Sequence, residues 1–81
     1  MTTLKYLMDR EQNLVDRISK TFDARVQMLY RLDEDFSMTS DKRKELEQEV
    51  KDSESYEKAL RTELDQVRKQ MKRYFLKLLE D

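Results

Sequence analysis

Apolar residues recur at alternating spacings of three and four along both halves of the chain. This is the seven-residue repeat of a coiled coil, in which positions a and d face the partner helix. With Leu4 as position a, the a and d positions of the first half are Leu4, Leu7, Glu11, Leu14, Ile18, Thr21, Arg25, Met28, Leu32 and Asp35. The second half follows its own frame, with a and d positions at Arg43, Leu46, Val50, Ser53, Glu57, Leu60, Leu64, Val67, Met71, Tyr74 and Leu78. The repeat therefore predicts two long helices, each with one apolar seam.

The two repeats differ in phase, and the change falls on the sequence SMTSD at residues 37–41. A turn would explain the change, and so would a stutter within one continuous helix. Folding the chain back at this stretch places Leu14 opposite Leu64 and Ile18 opposite Leu60, so that apolar positions meet. We therefore predict an all-α fold, an antiparallel two-helix coiled-coil hairpin. A continuous helix, paired with a second chain, is the alternative.

The hairpin interpretation treats residues 1–81 as a single domain. Helix 1 is expected at about 3–36, the turn at about 37–40 and helix 2 at about 41–79. Thr39 or Ser40 is expected to cap the second helix. Asp35 and Arg43 face each other across the bend in this register, and we expect them to form an ion pair.

Polar residues within the seam also match across the hairpin. Arg25 and Glu57 fall about one turn apart on facing helices, within reach of a salt bridge, and a slipped register would leave either charge against leucine. We predict that this pair forms the register-setting polar core, although both side chains could instead extend to water. Glu11, opposite Val67, has no partner in this scheme.

A second apolar row runs along the first helix beside its seam. The row consists of the five e positions, Met8, Val15, Phe22, Leu29 and Phe36. One partner helix cannot cover the a and d positions together with this row. The apolar face of the first helix is therefore as wide as that of a helix in a bundle, which packs against more than one neighbour. We predict that the row binds another helical surface, with Tyr56 and Phe75 of the second helix contributing. A second copy is preferred, which would make a homodimeric four-helix bundle; the other possibility is a helix of another protein.

Composition supports helices and removes several function classes. The chain has 43% charged residues, and it contains no glycine and no proline. It also lacks histidine and cysteine, so we expect no enzyme activity, no metal site and no cofactor. A net charge of -1 argues against nucleic acid as a partner. No apolar run approaches a membrane span and no signal peptide is evident, so a cytoplasmic protein without membrane partners is expected.

These observations predict a non-enzymatic protein–protein interaction or structural protein, a helical hairpin that self-associates or docks into a larger assembly. The alternative is a small helical chaperone or regulator that holds a helical client protein. In size and hairpin form, the predicted architecture is similar to the small chaperones of bacterial type III secretion needle subunits. That similarity is one of architecture and rests on no sequence motif. A nucleic-acid-binding dimer is the least favoured of the three hypotheses.

Overall fold

The chain folds into two helices that pack against each other in antiparallel directions. The computed structural model describes residues 3–80, with α1 at Leu4–Glu34 and α2 at Ser40–Leu79. The molecule is a rod with principal extents of 64 × 17 × 15 Å. The all-α prediction and the packing of two helices are confirmed, and the chain does not form one continuous helix.

Each helix begins at a threonine whose side chain caps its first turn. The Thr3 hydroxyl accepts a hydrogen bond from the Tyr6 amide at 3.1 Å, and the Thr39 hydroxyl accepts one from the Lys42 amide at 3.2 Å. Such bonds satisfy amides that have no carbonyl partner within the helix. Asp41 adds a negative charge to the first turn of α2, where it interacts favourably with the helix dipole.

The turn is built by side-chain hydrogen bonds in place of glycine. The Asp35 carboxylate accepts hydrogen bonds from the hydroxyl and the amide of Ser37, at 2.6 and 3.0 Å, and these bonds lower the pKa of Asp35 from its ordinary value. An aspartate bonded in this way to the amide two residues ahead favours a turn over continued helix. α1 consequently ends at Glu34, slightly earlier than the sequence pattern suggests.

The expected ion pair between Asp35 and Arg43 does not form. Asp35 is engaged with Ser37, and Arg43 instead donates a hydrogen bond to the carbonyl of Leu32 at 2.8 Å. That carbonyl lies in the last turn of α1, where backbone acceptors lack partners within the helix. Arg43 therefore ties the start of α2 to the end of α1 through the backbone.

The core is a single file of aliphatic side chains between the helices. The buried residues are Leu7, Leu14, Ile18, Leu46, Val50, Leu60 and Leu64. All seven occupy a or d positions of the repeat. The tightest cluster joins Leu14 and Ile18 to Leu60 and Leu64, with Val67 packed beside it. Because a two-helix rod has only one seam, the other residues that the structure describes are partly or largely exposed.

α2 is longer than α1 and extends beyond it at the end that carries both termini. The helices contain 40 and 31 residues. Apolar side chains of the overhanging segment are left without cover: Leu76 is 51% exposed, Leu78 56% and Leu79 82%. None of the described helices contains a segment that is both long and apolar enough to cross a membrane.

Candidate protein-interaction surface

The apolar row of α1 lies on the surface of the hairpin. Its five residues are exposed by 53% (Met8), 37% (Val15), 48% (Phe22), 47% (Leu29) and 89% (Phe36). The cause is geometric, since α2 contacts the a and d positions and the e positions lie beside that contact. Four of the five form an apolar stripe along one side of α1, and the fifth, Phe36, stands in the turn because α1 ends at Glu34.

The stripe is bordered on α2 by a row of mostly charged residues, which we call the α2 edge. It consists of the e positions of the second repeat, Glu47, Glu54, Arg61, Arg68 and Phe75. Between the stripe and this edge lies an open groove of about 400 Å³, lined by Val15, Ile18, Ser19, Phe22, Arg61, Leu64 and Arg68. The groove has an apolar floor and one cationic wall.

The two additional residues predicted for this surface lie on different sides of the rod. Phe75 stands one heptad beyond Arg68 and lines a second depression with Arg68 and Met71, so it continues the α2 edge. Tyr56 stands one heptad before Glu63, so both lie on the same side of α2. Glu63 accepts a hydrogen bond from Arg10 on the side of the rod that faces away from the apolar row. Tyr56 is 49% exposed but is separated from the apolar row. Phe75 therefore lies on the side of the rod that carries the α2 edge, and Tyr56 does not.

Arg25 and Glu57 meet across the seam near the middle of the rod. The distance from Arg25 Nη2 to Glu57 Oε1 is 2.8 Å, and the side chains are only 12% and 13% exposed. Arg61 donates to the other oxygen of Glu57, also at 2.8 Å. Hydrogen bonds from Arg61 and, to a lesser extent, from Arg25 lower the pKa of Glu57 from its ordinary value. The pair is shielded by the helices, so the side chains do not both extend to water.

The polar layer around this pair is incompletely satisfied. Within the described chain, Arg25 Nη1 and Ser53 Oγ are buried without a hydrogen-bond partner. The guanidinium of Arg25 also lies 5.5 Å from the centroid of the Phe22 ring, a cation–π contact. Arg25 therefore contacts both Glu57 in the seam and Phe22 in the apolar row.

The loss of Glu57 is expected to cost the hairpin more stability than the loss of Arg25. Glu57→Leu leaves the shielded guanidinium of Arg25 without its carboxylate, whereas Arg25→Leu leaves Glu57 bonded to Arg61. The double variant should melt at a higher temperature than Glu57→Leu. Thermal melts of the three variants, followed by circular dichroism at one protein concentration, test this. Additive effects of the two single changes would refute the coupling and, with it, the predicted register role.

Two further ion pairs join the helices near the termini. Arg68 donates to Glu11 at 3.0 Å, and Arg10 donates to Glu63 at 2.6 Å. The first pair gives the seam residue Glu11 an ionic partner. Comparing the a and d positions that face each other does not find this partner, because Arg68 belongs to the α2 edge. Such exposed pairs add little stability, but they leave Arg68 placed beside the apolar row.

No family model, no curated protein and no solved structure matches the chain.

Proposed function

We propose that this chain is a non-enzymatic structural or interaction protein whose hairpin self-associates through the apolar face of α1. The product would be a four-helix bundle with two hairpins facing each other across the apolar row. The observation that supports this most strongly is the row itself: four large apolar side chains in register on α1, all exposed, followed by the exposed Phe36 in the turn. Contiguous apolar surface of this kind marks an interaction site.

A second layer of helices would also remedy the thin core. Within residues 3–80, the isolated hairpin buries only seven hydrophobic side chains. Small domains with so little core commonly gain stability by oligomerisation. A second copy is preferred as the occupant because a two-fold dimer is the commonest oligomer and needs only one self-complementary surface.

The mass of the purified chain in solution tests self-association directly. We expect a species of twice the 10.0 kDa chain mass at micromolar concentration, dissociating on dilution. Sedimentation equilibrium or light scattering over a concentration series measures this. A mass of one chain at every concentration would refute self-association. In that case the exposed apolar row would be open to a helix of another protein, which is the alternative of a helical client protein.

A further inference from the structure

The rod carries opposite charge at its two ends. Residues 21–57, which form the half that contains the turn, hold eleven acidic and six basic side chains, whereas the rest of the chain holds seven and eleven. The net charge of -1 conceals this separation. The basic half is most concentrated in residues 66–79, which contain five cations and no anion.

The same separation is repeated along the α2 edge, directly beside the apolar row. In chain order the edge reads Glu47, Glu54, Arg61, Arg68, so its acidic part lies towards the turn and its basic part towards the termini. A second copy that runs in the opposite direction presents these charges in reverse order. The edge is thus complementary to itself in one orientation.

From this pattern we infer that the self-associating partner is a second copy of the hairpin packed head to tail, with its turn over the first copy's termini. This inference rests on the proposed self-association and specifies its geometry. The alternative two-fold dimer has both turns at the same end. The two arrangements differ in which helices pack against each other. The charges and apolar residues on the surface of one hairpin therefore favour one arrangement over the other.

In the head-to-tail dimer, α1 packs on the partner's α1 and α2 on the partner's α2. Apolar row then meets apolar row, and the acidic part of each α2 edge meets the basic part of the other. In the same-direction dimer, α1 packs on the partner's α2. The apolar row would then lie against Glu47, Glu54, Arg61 and Arg68, which would lose water without gaining ionic partners. The two acidic turn halves would also lie side by side.

The spacing of the apolar row places the two-fold axis between Val15 and Phe22. Four residues of the row lie on α1, which ends at Glu34, whereas Phe36 stands in the turn. An axis at the middle of these four residues sets Val15 against the partner's Phe22 and Met8 against the partner's Leu29.

Distances between spin labels on the two copies test this orientation. The chain has no cysteine, so Lys5→Cys and Lys20→Cys each introduce a single labelling site on an exposed residue. With a rise of 1.5 Å per residue and the axis between Val15 and Phe22, labels at position 5 should be about 40 Å apart in the head-to-tail dimer. In the same-direction dimer they should be about 15–25 Å apart, because the two α1 helices then lie diagonally across the bundle and the label arms add to their separation.

Position 20 is the matched control, because it lies near the axis and should give a short distance in either arrangement. A long distance at position 5 with a short one at position 20 is the expected result. Short distances at both positions would overturn the head-to-tail orientation while leaving self-association intact. Absence of any distance between copies, together with a solution mass of 10.0 kDa, would overturn both proposals.

Discussion

Replacing Leu14 with alanine is expected to lower the free energy of unfolding by about 2–5 kcal/mol. Leu14 is 0% exposed and lies in the cluster with Ile18, Leu60 and Leu64. The substitution removes buried methyl groups and leaves a cavity that two straight helices cannot close without losing neighbouring contacts. A chain of this length has a total stability of about 4–12 kcal/mol, so the loss is a large part of the whole.

The effect of Leu14→Ala is measured by urea or thermal denaturation at a fixed protein concentration, because self-association makes apparent stability depend on concentration. Leu79→Ala is the matched control: the same groups are removed from a side chain that is 82% exposed. That change should alter stability by no more than about 0.5 kcal/mol. Similar losses for the two variants would contradict a core centred on Leu14.

Replacing Phe22 with aspartate is expected to dissociate the proposed dimer. Phe22 lies at the centre of the apolar row, and large aromatic side chains at interface centres contribute most of the binding energy. Each dimer contains the substitution twice, so two charges would be buried in an apolar layer. We expect the dissociation constant to rise by at least about 30-fold, which corresponds to about 2 kcal/mol.

Tyr30→Asp provides the control for this experiment. It introduces the same charge in place of an aromatic residue on the same helix, but Tyr30 is 66% exposed and lies outside the seam and the apolar row. Sedimentation of both variants over a concentration series, with circular dichroism to show that the hairpin persists, completes the measurement. Equal dissociation constants for Phe22→Asp and Tyr30→Asp would place the interface elsewhere on the rod.

Most of the fold could be predicted from the sequence because its cause is periodic. The seven buried residues all lie at a and d positions, where the repeat alone decides which side of each helix is apolar. The apolar row was visible for the same reason, and its exposure follows from having a single partner helix. The start of α2 could also be predicted, because it depends on a local interaction: the Thr39 hydroxyl accepts a hydrogen bond from an amide in the first turn of the helix.

The partners of charged residues required the tertiary structure. Comparison of directly facing positions left Glu11 unmatched and paired Asp35 with Arg43, whereas Glu11 bonds to Arg68 and Arg43 to the Leu32 carbonyl. Long side chains reach about one helical turn in either direction, so several partners are possible for each. Local backbone geometry then selects among them, as Ser37 does by engaging Asp35.

The sequence by itself determined that the chain is helical, where each helix has its seam, and that one further row is apolar. These properties depend on the spacing of residues along one chain. Only the tertiary structure decided between a hairpin and a continuous rod, because the change of phase at residues 37–41 is compatible with both. It also decided that Tyr56 lies away from the apolar row while Phe75 borders it, because that depends on which sides of the two helices face each other.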